Sequence, residues 1–302
     1  MNNFILTCCS TADMTREYFA ERNIPYALFH YDLDGVSYPD DLGLTMPSAE
    51  FFKKIAAGAA PITSQVNAEE YIALIEPHLA AGTDVLHLTL SSGISGSYNS
   101  AKIAQQVLNK RYPDRKFFVV DSLAASSGFG LLVDRVADLR DEGWTAEDAY
   151  NWTEQNKLKL HHWFTPQDLK HLRRGGRVSG AAAIVGTLLN ICPILNVDNV
   201  GHLTPRSKSR GIKNALEALV KRMEDNAQDI KNPENKGLDY SGKCYICNSA
   251  CLDEAKELAA LVESKFPKLD GKVEIFDIGT VIGSHTGCGT IALFFWGSER
   301  KD

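Results

Sequence analysis

The sequence predicts an α/β protein in which an N-terminal domain built on a parallel sheet is followed by a second, α+β domain. Three observations support this prediction. Short apolar runs alternate with amphipathic segments over the first 160 residues, as in successive βαβ units. The runs VLHLTL and FFVV are rich in β-formers and mostly apolar, as in strands covered on both faces. The alternation changes near residue 160, so the predicted domains are 1–160 and 161–302.

Apolar runs and helix-cap residues indicate the elements of the first half. Asn67 stands where an N-cap is expected, and Gly58 stands where a helix ends. The Asp34-Gly35 pair indicates a turn. The predicted strands are 4–7, 26–33, 84–90 and 116–122, and the predicted helices are 15–23, 48–58, 67–82, 98–110 and 131–141.

The second half has a different pattern, which indicates the α+β domain. Its segment 165–180 is basic, and Gly175-Gly176 would interrupt a helix there. A hairpin is predicted to turn at 199–201. The predicted helices are 181–192, 212–230 and 251–266, and the predicted strands outside the hairpin are 244–248, 272–279 and 290–297.

Composition and charge exclude several classes of protein. The 302 residues are 44% apolar and 23% charged, as in ordinary globular proteins. A formal net charge of −6 argues against binding to bulk nucleic acid or to anionic membranes. We expect no membrane span, since no apolar run reaches roughly 18 residues, and no signal peptide at the start. Seven irregularly spaced cysteines do not indicate disulfides, so we expect a cytoplasmic location.

The segment LSSGISGSYNSA (90–101) places serine and glycine between a predicted strand and a predicted helix. Backbone N–H groups at such a place favour an anion site. Two more specific interpretations fail. The Gly-Lys-Ser/Thr of a P-loop is absent, and GISGS misses the Gly-x-Ser-x-Gly of a nucleophile elbow by one place. A serine-rich turn without a ligand stays an alternative.

Two further polar segments could bind an anion. Thr63, Ser64 and Gln65 stand in a predicted loop before a helix and could donate to an anion, although this loop taken alone is better interpreted as turn residues before the N-cap Asn67. His285 stands among glycines between a strand and a strand-like run, with Thr286 beside it. Glycines allow a backbone to approach a ligand closely, although a structural role for this histidine is equally compatible.

Two other patterns do not support a site. Cys244-x-x-Cys247-x-x-x-Cys251 has spacing that suggests zinc, but Cys244 and Cys247 stand at an odd separation on a predicted strand. Their side chains would therefore face opposite sides. The basic segment KHLRRGGR (170–177) could bind phosphate or RNA, but a local anion or partner contact fits the acidic chain better.

Together these segments resemble the DegV family of bacterial lipid-binding proteins, and the resemblance runs nearly end to end. The motifs that carry it are STAD (10–13), TSQ (63–65), LSSGISGSYNSA (90–101), VDSLAASSGFGLLV (120–133), LKHLRRGGRVS (169–179), PILNVDNVGHLTPRSKSRGIKNAL (193–216) and SHTGCGTIALFF (284–295).

The resemblance implies two α/β domains with a long acyl chain in an enclosed tunnel between them, and neither cofactor nor metal. It assigns the contacts to the fatty-acid carboxylate to Thr63, Ser92 and His285, with Ser64, Gly93 and Thr286 as neighbours. It also matches Arg177 and Arg210 to basic positions at the tunnel mouth or at a partner contact. Cys9 and Cys288 stand where the family usually has other residues.

The resemblance further implies a carrier that is not itself an enzyme. Members of the fatty-acid-kinase system present the carboxylate to a separate, dihydroxyacetone-kinase-like fatty acid kinase. The kinase forms an acyl phosphate that feeds phospholipid synthesis. Two alternatives stay open. One is an enzyme that processes an acyl or carboxylate substrate with a loop serine and His285. The other is a binding module for another lipid or an anionic metabolite.

Overall fold

Two large sheets and one small sheet organise the chain, with helices packed around them. The structure, a computed structural model, describes residues 4–167, 169–178 and 190–301. The strands in these residues are β1 (Phe4–Cys9), β2 (Tyr26–Ala27), β3 (His30–Leu33), β4 (Val36–Pro39), β5 (Ile62–Ser64), β6 (Asp84–Thr89), β7 (Phe117–Asp121), β8 (Leu160–Thr165), β9 (Ile191–Val197), β10 (Leu203–Arg210), β11 (Cys244–Asn248), β12 (Glu274–Asp277) and β13 (Ile291–Trp296). The α-helices there are α1 (Arg16–Glu21), α2 (Ser48–Ala56), α3 (Ala68–Ala80), α4 (Ser97–Arg111), α5 (Ser126–Asp141), α6 (Ala146–Asn156), α7 (Lys170–Arg174), α8 (Ile212–Asn226), α9 (Leu252–Lys265) and α10 (Thr280–Thr286).

The first sheet is parallel throughout, as predicted, with the strand order β2-β1-β6-β7. Strands β1 and β6 are almost entirely buried, which explains why their sequences lack polar alternation. The segments that follow β1, β6 and β7 meet at the carboxyl edge of this sheet, where open α/β sheets bind ligands. The Ser-Gly segment follows β6, so the topology places it at this edge.

The second sheet is mixed, with the strand order β10-β9-β8-β13-β11-β12. Its neighbours are antiparallel except for the parallel pair β11 and β12. The predicted hairpin is the β9–β10 pair, which turns between Val197 and Leu203. Helix α5 contacts β1 of the first sheet and β8, β11 and β13 of the second, so it joins the two sheets. The predicted fold class is confirmed; the domain boundary after residue 160 stays a prediction.

The prediction of a single strand at 26–33 is wrong. Residues 26–27 pair with β1 in the parallel sheet, whereas β3 pairs antiparallel with β4 and β5 in a separate three-stranded sheet. The chain is held at the point of change by a hydrogen bond from the N–H of Phe29 to Oγ of Ser10, at 3.2 Å. An apolar run cannot show that its two halves pair with different partners.

Two predicted loops are regular structure instead. Thr63 and Ser64 belong to β5, an edge strand of the small sheet. His285 lies in the last turn of α10, not in a loop between strands. The sequence of this helix, TVIGSHT, contains β-branched residues and a glycine, which all have low helix propensity. Packing against α2 and α7 therefore decides the conformation of this segment.

The helix ends show where local signals suffice. Asn67 accepts the N–H of Glu70, and the Glu70 carboxylate accepts the N–H of Asn67, so the predicted N-cap is confirmed as a capping box. Helix α5 begins at Ser126, five residues before its predicted start at residue 131. The sequence did not indicate this first turn, because its Ser-Ser-Gly residues are weak helix formers. The helix predicted at 181–192 falls almost entirely outside the described residues, and Ile191 begins β9.

Candidate ligand-binding site

A cavity of about 360 Å³ lies between the second sheet and the carboxyl edge of the first. Its volume is within the range of roughly 300–1,000 Å³ that is usual for small-molecule sites. One face of the second sheet forms the floor, because alternate side chains of a strand share a face. The floor residues are Leu203 on β10, Val197 on β9, His162 and Phe164 on β8, Ala292 and Phe294 on β13, and Cys247 on β11.

Helix α10 forms one wall of the cavity. Val281, Ile282 and His285 line the cavity along the helix, and Ile278 lines it from just before the helix. At 1.5 Å per residue, the helix rises about 7.5 Å from Thr280 to His285. Polar side chains gather at the His285 end, and we call them the mouth cluster. The mouth cluster consists of Thr63, Ser64, Gln65, Ser95, Arg177 and His285.

His285 and Thr63 are directly hydrogen-bonded, with 2.8 Å between Nε2 and Oγ1. Burial, together with the positive charges of Arg177 and Arg174, lowers the pKa of His285 to about 4. The ring is therefore neutral at neutral pH. The backbone of Gly175 packs on the ring so closely that an added Cβ would lie 2.2 Å from Nδ1. His285 is thus a fixed neutral hydrogen-bonding group and not a cation.

Arg177 supplies a positive charge at the mouth. Its Nε donates to the carbonyl of Ile94 at 3.2 Å, and its Nη1 donates to the carbonyl of Gly175. The guanidinium therefore connects the basic segment to the Ser-Gly segment while it lines the cavity. Arg210, by contrast, is exposed at the end of the edge strand β10 and is not among the described residues that line the cavity.

The Ser-Gly segment reaches the cavity through residues other than the two that the resemblance assigns. Ser95 lines the cavity, whereas Ser92 is exposed and its N–H donates to the Asp121 carboxylate at 3.0 Å. Gly93 packs instead on the β9–β10 turn, where an added Cβ would lie 2.6 Å from the carbonyl of Gly201. The structure therefore does not bring Ser92 and Gly93 to the cavity with the other predicted residues.

The remaining predicted neighbours lie on the cavity wall. Ser64 lines it from β5 and is exposed to solvent. Thr286 lines it from the end of α10, and its Oγ1 donates to the carbonyl of Ile282 at 3.2 Å. Because Ser64 and Gln65 are both exposed, the cavity opens to solvent at the mouth cluster.

The inner end of the cavity contains a small neutral polar group. Ser126, the first residue of α5, donates to the Asp13 carboxyl, and its Oγ lies 3.3 Å from Sγ of Cys247. Burial raises the pKa of the Cys247 thiol far above its usual range, and burial beside Asp40 does the same for the pKa of Asp13. The Nε2 of His162, also buried here, accepts the N–H of Ala125 at 3.3 Å.

Cys9 and Cys288, the two cysteines that depart from the family pattern, are not among the described residues that line the cavity. Cys9 is buried in the core, with its Sγ 3.4 Å from the Tyr71 hydroxyl and 3.8 Å from Nε2 of His87. Cys288 donates to the carbonyl of Phe52 at 3.4 Å. Within 4–167, 169–178 and 190–301, no group of His, Cys, Asp and Glu side chains is arranged to hold a metal ion.

Comparison with known proteins assigns the chain to a family. The model of the DegV family, described as a family of uncharacterised proteins, matches residues 7–297. The chain belongs to the DegV family. A DegV domain-containing protein of Clostridium perfringens is 36% identical over 301 residues and matches 100% of both chains.

Two solved DegV structures share the fold. A fatty-acid-binding DegV protein from Thermus thermophilus is 28% identical, covers 98% of this chain and 100% of its own, and has a TM-score of 0.84. A DegV lipid-binding protein from Thermotoga maritima is 28% identical, covers 100% of both chains, and has a TM-score of 0.80. In the described part of this DegV chain, the helices lack the length and apolar content that crossing a membrane requires.

Several residues of the cavity were not selected from the sequence. Ser95 carried a signal, because it belongs to the segment LSSGISGSYNSA shared with DegV proteins and follows the selected Ser92 and Gly93. Ile278 and Cys247 carried no signal for a ligand cavity, since each has the pattern of an ordinary buried residue in a strand or at a strand end. Only the packing of α10 over the second sheet brings them to one cavity.

Proposed function

We propose that this DegV protein binds a long-chain fatty acid, with its carboxylate at the mouth cluster and its hydrocarbon chain along α10. The observation that carries the proposal is the cavity itself, which has Thr63, His285 and Arg177 at one end and a mostly apolar interior. Fatty-acid and lipid binding by the Thermus and Thermotoga relatives supports the same class of ligand.

Burial of the hydrocarbon chain supplies most of the binding free energy. At about 0.8 kcal/mol per buried CH₂, a chain of about sixteen carbons contributes about 12 kcal/mol before any cost is subtracted. Each hydrogen bond to the carboxylate contributes about 1.5–3 kcal/mol at most. The chain therefore determines the affinity, and the mouth cluster determines which end of the ligand faces solvent.

The Thr63–His285 hydrogen bond can prepare a donor for the carboxylate. A hydroxyl has one proton, so Thr63 can donate to a ligand only when His285 donates to Thr63. A neutral ring with its proton on Nε2 meets this condition, and the low pKa of His285 keeps the ring neutral. In this arrangement Thr63 contacts the carboxylate, His285 positions Thr63, and Arg177 adds a favourable charge.

We further propose that the protein is a carrier that presents the carboxylate to a separate fatty acid kinase of the dihydroxyacetone-kinase-like class. The exposed Ser64 and Gln65 support this proposal, because they leave the polar end of the cavity open to solvent. The kinase would transfer a phosphoryl group to the carboxylate and form an acyl phosphate for phospholipid synthesis. The exposed Arg210 is available for the kinase contact.

Mass spectrometry of retained lipid tests the binding step. The purified protein is delipidated, mixed with fatty acids of several lengths, and analysed by native mass spectrometry after gel filtration. We expect one acyl chain per protein molecule. Absence of any retained acyl chain would overturn the proposed function.

A phosphotransfer assay tests the presentation step. The loaded protein, the kinase and ATP are combined, and acyl phosphate is trapped with hydroxylamine. We expect His285→Ala to lower acyl-phosphate formation by about tenfold, in line with the loss of one buried hydrogen bond, while the acyl chain is still retained. His285→Gln, which can still donate an N–H to Thr63, should lose less. Equal rates for wild type and His285→Ala would contradict the proposed role of His285.

A further inference from the structure

A second cavity lies directly behind the inner end of the ligand cavity. Its volume is about 580 Å³, and its lining combines apolar side chains, among them Met46 and Phe276, with the charged side chains of Asp13, Arg16, Glu17, Asp40, Lys256 and Asp277. Ile278 lines both cavities, so its side chain forms part of the wall between them. The wall continues through a hydrogen-bonded pair, because Ser126 lines the first cavity and donates to Asp13, which lines the second.

Ile278 stands at the end of the path that an acyl chain would follow. A chain whose carboxylate is at His285 and which runs along α10 passes Ile282 and Val281 before it reaches Ile278. The methyl end of the ligand would therefore meet the Ile278 side chain.

The backbone around Ile278 is held on both sides, so this part of the wall cannot withdraw as a whole. The N–H of Ile278 donates to the carbonyl of Asn248 at 2.8 Å. Gly279 packs against Asp13 so closely that an added Cβ would lie 2.5 Å from Oδ1. Thr280 then donates to the Asp40 carboxylate from both its N–H, at 3.3 Å, and its Oγ1, at 2.7 Å.

We propose that Ile278 is the residue that sets the maximum acyl chain length, by separating the apolar interior of the ligand cavity from the solvent-exposed, partly charged cavity behind it. The inference deepens the proposed function and rests on it. A chain that fits in front of Ile278 gains about fourfold in affinity with each added CH₂. A longer chain gains nothing further, because its end meets a fixed wall.

Affinities for a homologous series of saturated fatty acids test this proposal. Each acid competes with a fluorescent fatty acid for the delipidated protein, and the length at which affinity stops rising is recorded. Ile278→Ala removes three carbon atoms from the wall, so we expect this length to increase by about two CH₂ groups. Ile278→Val should increase this limiting length by a smaller amount. The valine variant tests the proposal if the alanine variant folds poorly.

Ile282→Ala is the matched control, because it removes the same three carbon atoms from a residue that lines only the ligand cavity. It should weaken the binding of all long chains without moving the length at which affinity stops rising. An unchanged length limit in both Ile278 variants would overturn the inference and leave the proposed function intact. If wild type binds no member of the series, the proposed function fails, and the inference fails with it.

Discussion

Single residues at the mouth cluster combine neutral hydrogen-bonding groups with one fixed charge. The low pKa of His285 means that the ring does not attract the carboxylate by charge. The His285 ring contributes through its 2.8 Å hydrogen bond with Thr63, which fixes the direction of the Thr63 hydroxyl. Arg177 is held by two backbone carbonyls and supplies the charge. Hydrogen-bond geometry and charge therefore come from different residues. Single substitutions can measure the two contributions separately.

Substitution of Thr63 tests the hydrogen-bonding part. Thr63→Val keeps the shape of the side chain but removes the hydroxyl that bonds to His285. We expect fatty-acid affinity, measured by competition binding, to fall by about ten- to a hundredfold, as for one lost hydrogen bond to a charged group. Thr63→Ser keeps the hydroxyl and is the control. Equal affinity of the valine and serine variants would show that the hydroxyl does not contact the ligand.

The Ser-Gly segment offers a direct comparison of two serines. Ser95 lines the cavity, whereas Ser92 is exposed outside it. We therefore expect Ser95→Ala to lower fatty-acid affinity several-fold and Ser92→Ala to have little effect, since only the first loses a group that faces the ligand. Unfolding temperatures of both variants control for the Ser95 hydroxyl, which accepts the N–H of Ser97. A larger loss in Ser92→Ala would instead support the contact assigned by resemblance.

Short elements hold the mouth cluster by close backbone packing. Gly175 is the C-cap of α7, and the absence of a side chain there lets α7 and α10 approach each other beside His285. Gly176 follows with a φ of +68° and no atom near its Cβ position. The two adjacent glycines therefore have different roles. Gly175 allows the two helices to approach closely, and Gly176 allows a left-handed backbone conformation.

These two glycines give a matched pair of variants. Gly175→Ala would place a Cβ against the His285 ring, so we expect a loss of about 1–3 kcal/mol in the free energy of unfolding and weaker fatty-acid binding. Gly176→Ala should cost about 1–2 kcal/mol through its left-handed φ and leave binding unchanged. Urea unfolding and competition binding measure both effects. The interpretation fails if the two variants bind fatty acid equally well.

Several histidines are buried in this molecule, and their protonation links stability to pH. Burial lowers the pKa of His87 to about 3 and those of His161 and His285 to about 4, and it lowers that of His162 as well. In the unfolded chain a histidine takes up a proton near pH 6.5. Below that pH the unfolded state binds more protons than the folded state, so the free energy of unfolding decreases as pH falls. Asp13, whose pKa burial raises, acts in the opposite direction.

We therefore expect the protein to lose stability as the pH falls from about 6.5 towards about 4. His161→Gln removes one titrating group but can still donate to the carbonyl of Ser298, which the ring contacts at 2.7 Å. Its free energy of unfolding should fall less steeply, by at most about 1.4 kcal/mol per pH unit. His202→Gln, at a half-exposed position, is the control. Identical pH dependence of wild type and His161→Gln in urea unfolding would contradict this account.

Much of the fold could be predicted because its signals are local. Alternation of apolar runs and helices indicated the parallel sheet, and the Asn67 cap was confirmed because both partners of a capping box lie within one turn. The failures were of a different kind. The segment 26–33 divides between two sheets, and His285 lies on a helix with low helix propensity. In both cases the packing partners lie outside the segment, so the segment's own pattern does not show them.

The same distinction applies to the site. The residue types for an anion site, Thr63, the Ser-Gly segment and His285, can be recognised in the sequence because each stands at the end of a predicted element. The arrangement of these residues could not be predicted from the sequence. Thr63 and His285 are 222 residues apart and meet only when α10 packs beside β5. The tertiary structure also places Ser95 at the cavity instead of Ser92, and Ile278 at its inner end. Local patterns determine which groups the chain offers, and long-range packing determines which of them face one ligand.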